Sequence, residues 1–146
     1  MRIKQVASTE VFIEYRAPVG PYVGRPRGGQ YRATNGASGL IVKVETEDGL
    51  VGWGEGTGAF ECDVTNLLKG DHAAEVQNIA AKLASAGVSF GPASGVEMAL
   101  WDLVGKRAGL PICQLWGGVI REEVDFCACM GIKDSVESAE TARLYI

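Results

Sequence analysis

Histidine is almost missing from this chain: one imidazole, His72, stands among 146 residues. A lone histidine with no second histidine or cysteine beside it does not make a metal site. Placed after Lys69-Gly70-Asp71, ahead of a helical pattern, it reads as a solvated first-turn residue. The four cysteines, Cys62, Cys113, Cys127 and Cys129, show no CxxC spacing, which excludes a zinc framework and leaves reduced thiols as the reading for a cytoplasmic protein. Cys127 and Cys129 lie two apart in an apolar run and are expected to be small buried hydrophobes. A positive excess is missing as well. Fourteen Lys and Arg against 18 Asp and Glu leave a net charge of −4, so no nucleic-acid partner is expected. No apolar run approaches the ~20 residues of a membrane helix, and no membrane partner is expected. The opening Met1-Arg2-Ile3-Lys4-Gln5 leads straight into strand-like sequence without the apolar stretch of a signal segment.

What the chain does have is glycine, 20 residues of it, in clusters between patterned segments rather than in one linker. Residues 2–15, rich in β-branched and aromatic side chains, predict a strand with a bulge near Ser8. The Gly- and Pro-rich residues 20–39 predict a long loop of the kind that forms lids and binding surfaces. "GLIVKVETEDGLVGWGEG" predicts a hairpin, its runs 40–47 and 50–55 joined by a two-residue Asp48-Gly49 turn. Together these make a three-stranded antiparallel sheet.

Helical patterns follow. Val76, Ile79, Ala80 and Leu83 share one face and the pattern closes on Gly87. A second helix is expected from Ser94 or Gly95, with Val96, Ala99, Leu100, Leu103 and Val104 as its apolar stripe. Lys106 and Arg107 suit its C-terminal dipole, Gly109 ends it and Pro111 prevents resumption. "EEVDFCACMGI" then predicts a buried strand, and Asp134 with Glu137 a capping box for a last helix. That helix is still running at Ile146, so a strand and an unfinished helix are expected to begin a second, repeating β/α domain in a chain that is cut.

Several residues invite chemistry. Within "SGVEMALWDLVGKRAGLPICQLWGG", Glu97, Trp101 and Asp102 could act as acid, platform or base. Trp101 falls beside the apolar stripe, and mid-helix carboxylates usually pair with backbone or arginine, so all three are expected to be scaffold. Gly54-Glu55-Gly56-Thr57-Gly58-Ala59 fits the dinucleotide pattern GxGxxA, which needs a parallel strand running into a helix. Here it follows the return arm of a hairpin, and a chance match is expected. Two loops remain. Residues 16–32 carry Tyr22, Arg25, Arg27, Tyr31 and Arg32, and an arginine fork matches a carboxylate. Residues 54–62 carry Thr57 and Phe60 as possible contacts.

The hairpin motif, then "GVEMALWDLVGKRAGLPICQLWGG", then a strand and helix, resembles the N-terminal capping domain of the enolase superfamily. The likeness is strongest to its mandelate racemase/muconate-lactonizing enzyme branch. One departure is the stretch between Gly56 and Gly95, short as if one helix were trimmed. The resemblance implies an α+β cap, residues 1–120, in which a helical bundle follows the sheet. Residues 121–146 would begin a (β/α) barrel, a unit that needs roughly 250 residues. Its catalytic lysines and three acidic Mg²⁺ ligands would fall on later strands, so no catalytic and no metal residue is expected in this chain. The family implies Mg²⁺-assisted proton abstraction next to the carboxylate of a small substrate, acid sugars among them. Dehydration, cycloisomerisation and racemisation or epimerisation stay open, and a symmetric homo-oligomer is expected. Tyr22, Arg25, Tyr31 and Thr57 are the substrate-binding candidates the resemblance selects. The competing reading is a non-catalytic α+β module that self-associates through residues 124–146, whose strand would be an unpaired edge.

Overall fold

The computed structural model describes residues 1–19, 34–127 and 134–144, of which 17–19 and 34 are described by backbone alone. The chain divides into two compact units, Met1–Val11 with Ser38–Ile120, and Phe12–Ala37 with Arg121–Ile146.

The first unit is built on a three-stranded sheet in the order β1 (Ile3–Val19), β2 (Thr34–Thr46), β3 (Val51–Gly56). β2 and β3 are antiparallel, with Val42 opposite Gly54 and Val44 opposite Gly52. Alternation decides the faces: Leu40, Val42 and Val44 are buried, whereas Ile41, Lys43 and Glu45 lie half-exposed on the other side. Helices α1 (Val64–Leu68), α2 (Val76–Ser85) and α3 (Phe90–Ala108) supply the rest of the core. Ile3, Val64, Leu68, Val76, Ile79, Leu83, Val96, Ala99, Leu100 and Leu103 close it against the sheet. Each large side chain so buried contributes about 1.5–3 kcal/mol. The stretch that reads as short between strand and long helix thus holds the five-residue α1 and the ten-residue α2.

The inner face of β3 carries no side chain beyond a hydrogen. Gly52, Gly54 and Gly56 are all buried, and α3 lies directly on them. A Cβ at Gly52, Gly54 or Gly56 would come closer than 3.0 Å to the carbonyl oxygen of Ala99, Gly95 or Gly91 respectively. Those three acceptors sit four residues apart, one helical turn each, so a row of glycines on the strand receives a row of carbonyls on the helix. The dinucleotide-like glycines therefore serve packing, and no helix follows Thr57 until Val64.

Both sheet edges are covered in part. On β3, Asp102 Oδ2 accepts the Trp53 N–H at 2.9 Å, and Lys106 Nζ donates to the Val51 carbonyl at 2.8 Å. On β1, Thr65 Oγ1 accepts the Val6 N–H and donates back to the Val6 carbonyl, at 3.0 and 2.7 Å. Further along β1, Gly70 N–H and Asp71 carbonyl pair with Ile3. Satisfied edges do not recruit foreign strands. On the open face Glu45 lies between Lys4 at 2.6 Å and Lys43 at 3.4 Å. The Lys4 hydrogen bond, then that of Lys43, holds its carboxyl below the usual glutamate range, so this contribution is present at neutral pH and fades as acid protonates Glu45.

Three local expectations need correction. The hairpin loop has three residues, Glu47, Asp48 and Gly49, because buried Thr46 pairs with Leu50 through its backbone and its hydroxyl. Gly49, at φ +83°, takes the left-handed place of that turn. Helix α3 begins at Phe90, four residues ahead of Ser94: Pro92 falls in the first turn, where no N–H is needed, and Gly91 is required there by packing. His72 is not in a helix. It is an exposed residue bridged to Arg2 by backbone, before α2 begins. Helices α2 and α3 end alike, Val88 N–H on Leu83 O and Leu110 N–H on Gly105 O, with Gly87 and Gly109 left-handed between. A short turn α4 (Ile112–Leu115) follows Pro111.

In the second unit the Phe12 ring and the Ile13 carbonyl occupy the space where a Cβ of Gly36 would stand. Helix α5 (Ser135–Arg143) is capped by Asp134, whose Oδ1 accepts the N–H groups of Val136 and Glu137 at 2.9 Å each. The expected strand over residues 124–130 is described as far as Cys127. That part is exposed and is not assigned to a strand among the described residues, a strand being defined by a hydrogen-bonded neighbour. Cys127 is accordingly exposed rather than buried, and Cys129 lies outside the described residues.

Replacing Gly54 by alanine forces a methyl into the Gly95 carbonyl and should lower stability by about 3 kcal/mol or more. Urea unfolding followed at tryptophan fluorescence checks this, and an unchanged midpoint would contradict the packing.

Candidate functional site

The loop of residues 57–63 leaves β3 at Gly56 and is held at several points. Thr57 N–H donates to the Gly91 carbonyl at 3.3 Å, and the same oxygen accepts the Ser94 hydroxyl at 2.7 Å. Gly58 turns the chain at φ +77°. Phe60, a possible contact by sequence, is half-buried and packs against the core. Asp63 closes the loop by capping α1: its Oδ1 accepts the Asn66 N–H at 3.0 Å and its Oδ2 accepts the Asn66 amide at 2.7 Å.

Between these anchors the exposed side chains that can form hydrogen bonds are Thr57, Glu61 and Cys62. A cleft of about 200 Å³ opens beside Glu61 and Cys62, lined by these two with Val88 and Ser89 among others. A hydroxyl, a carboxylate and a thiol can exchange hydrogen bonds with a polar ligand. Thr57 is a candidate from the sequence, whereas Glu61 and Cys62 are not, since neither belongs to a spaced motif. Of the other substrate candidates, Tyr22, Arg25 and Tyr31, with Arg27 and Arg32, lie outside the described residues. The structure therefore brings none of them to Thr57 or away from it.

Two of the three ambiguous residues of α3, Asp102 and Trp101, make structural contacts. Asp102 accepts the Trp53 N–H and the Lys106 ammonium, the latter at 2.6 Å, and so clamps helix to strand. Trp101 is half-buried against the core and meets Trp116 edge to face, ring centroids 5.2 Å apart at 89°. Glu97 is half-buried on the same helix. Arg107 pairs with Asp48, tying the hairpin turn to the end of α3. Among the described residues no group of three or more His, Cys, Asp or Glu is placed to hold a metal ion. No helix of the described residues is long and apolar enough to cross a membrane.

The fold is that of the enolase N-terminal kind, a three-stranded antiparallel sheet backed by helices, and solved structures share it. The dipeptide epimerase from Methylococcus capsulatus, solved with Mg and the dipeptide L-Arg-D-Lys, superposes with a TM-score of 0.81 at 22% identity, over 99% of this chain and 43% of that one. The N-succinyl Arg/Lys racemase from Bacillus cereus gives 0.79 at 23%, over 99% and 41%. At such identities the likeness speaks for the fold alone. The family model of the mandelate racemase / muconate lactonizing enzyme N-terminal domain matches residues 24–117, and the chain belongs to that family. Among curated relatives, the D-galactonate dehydratase of Pectobacterium atrosepticum is 30% identical over 63% of this chain and 28% of its own length. The chain thus spans less than a third of that relative's length.

If Asp102 is a clamp, Asp102→Ala should cost about 1–2 kcal/mol, the loss of a charge-assisted hydrogen bond at a partly exposed site. Thermal unfolding of the variant checks it; unaltered stability would return Asp102 to the list of candidate bases.

Proposed function

We propose that residues 1–120 form the capping, substrate-selecting domain of a cytoplasmic, homo-oligomeric enolase-superfamily enzyme, and that residues 121–146 open its (β/α) barrel. The reaction is proton abstraction next to a carboxylate, and the substrate class is an acid sugar. The family match over residues 24–117 carries this reading, since it covers most of the arginine-rich loop, including Arg25 and Tyr31, and Thr57. The dehydratase relative supports acid-sugar dehydration ahead of racemisation or cycloisomerisation.

In this scheme the cap binds and encloses. Arg25 offers a planar two-pronged donor to the substrate carboxylate. Tyr22 and Tyr31 supply flat walls with a hydroxyl, and the Thr57 hydroxyl exchanges a hydrogen bond with a sugar hydroxyl. Closure of such loops over a barrel mouth removes water from the developing negative charge. Mg²⁺ would supply Lewis-acid stabilisation of that charge. The described residues offer it no three-ligand group, so its ligands belong to the barrel in this reading, as do the catalytic lysines.

A second reading, a non-catalytic module that associates with itself, draws on the second unit. Phe126 is 97% exposed there, and Val124 and Val136 are more than half exposed. An exposed apolar set of this kind marks a surface that another protein segment covers.

The intact mass of the natural protein, followed by an acid-sugar screen, separates the two. The enzyme reading expects a mass well above the 15.4 kDa of this chain and Mg²⁺-dependent release of a 2-keto-3-deoxy acid from D-galactonate or a related acid sugar. Removing Mg²⁺ with EDTA should abolish turnover, and Arg25→Ala should raise KM about tenfold or more through the lost charge-assisted pair. A natural protein of 15.4 kDa that sediments as an oligomer and turns nothing over would establish the second reading instead.

A further inference from the structure

The contact between the 57–63 loop and the first turn of α3 is closer than packing alone requires. Gly91 and Gly56 face each other across it: a Cβ on Gly56 would strike the Gly91 carbonyl, and a Cβ on Gly91 would strike the carbonyl and the hydroxyl oxygen of Thr57. Thr57 N–H closes the same contact on the Gly91 carbonyl at 3.3 Å. The backbone of Thr57 is thus seated in a socket that only a residue without a side chain can form. Beyond it, Phe60 on the core and Asp63 on α1 leave residues 58, 59, 61 and 62 as a short span between fixed posts. Short spans pinned at both ends lose little further entropy when a ligand arrives, and they hold geometry to fractions of an ångström.

We propose that Gly91, a helix residue outside the loop, is a positioning residue for substrate selection: through its socket the 57–63 loop is a fixed wall, and the Thr57 hydroxyl is presented in one place to a substrate hydroxyl. This rests on the capping-domain reading for the identity of the ligand, but the rigidity it asserts belongs to this chain alone. The contact takes in the carbonyl and N–H of Thr57 as well as its hydroxyl, so backbone and side chain are held at the same place. Selectivity at this wall is then set by the identity of residues 57, 61 and 62 on an unmoving frame rather than by a loop that closes.

The first test needs no substitution. ¹⁵N relaxation on this chain should give the amides of Thr57, Gly58 and Glu61 order parameters of about 0.85, level with those of α3; values below about 0.6 would overturn the inference. Gly91→Ala should then raise the amide exchange rate of residues 57–59 at least tenfold relative to Leu100 and Leu103. Equal protection of the loop in this variant would also overturn it. If Gly91→Ala does not fold, Phe60→Ala, which removes the next post, serves in the same comparison. In the intact enzyme the loss should appear in KM for the acid sugar, about tenfold, with kcat little changed, whereas a loss confined to kcat contradicts a positioning role. Failure of the capping-domain reading shows itself separately, as absence of acid-sugar turnover by the unsubstituted enzyme, and leaves the relaxation result untouched.

Discussion

The carbonyls of Gly91, Gly95 and Ala99 pressed onto the side-chain-free face of Gly52, Gly54 and Gly56 form the contact on which the rest of the first unit depends. Close approach of helix to strand brings Asp102 and Lys106 within reach of the Trp53 N–H and the Val51 carbonyl, two backbone groups that β3 would otherwise expose along its open edge. It also lowers Val96, Ala99, Leu100 and Leu103 into the core beside Val42 and Val44. A strand with ordinary side chains at those three positions would lift the helix by several ångströms, opening the core and stranding both edge groups.

The same contact governs what lies beyond the sheet. Because α3 starts at Phe90, its first turn extends past the end of β3 and meets the chain as it departs. The loop that follows is therefore built on the helix and not merely tethered to the strand. At the other end, Arg107 reaches the Asp48 turn, so both ends of the β2–β3 hairpin region are referred to one helix. A domain organised in this way has loops whose placement follows from its core.

Much of this was legible in the residues. The Asp48-Gly49 turn between two apolar runs gave the β2–β3 hairpin, and the 3.6 period with Gly87 and Gly109 gave the bodies and C-terminal ends of α2 and α3. The scaffold role of Asp102 followed from its mid-helix place. What was not legible has a physical reason in each case. By sequence the start of α3 is expected at Ser94 or Gly95, beyond Gly91 and Pro92, yet one is demanded by a contact distant in sequence and the other is harmless in a first turn. Helix α1 is too short to show a period and owes its existence to Asp63 and to the burial of Val64 and Leu68. The three-residue hairpin loop depends on the Thr46 hydroxyl, whose partner Leu50 no turn signature names. The packing of Phe60 against the core was not legible, because an aromatic residue in a glycine-rich loop serves core and ligand alike. Tyr22, Arg25 and Tyr31 stand as sequence candidates alone.

Native-state hydrogen exchange tests the organising role of the helix–strand contact most directly. If α3 and the β2–β3 hairpin are one cooperative body, the amides of Val42, Val44, Ala99, Leu100 and Leu103 will open with a single free energy, equal to that of global unfolding, across a urea series. If α3 opens at markedly lower free energy while β2 and β3 stay protected, the helix is an accessory to the sheet and the account is wrong.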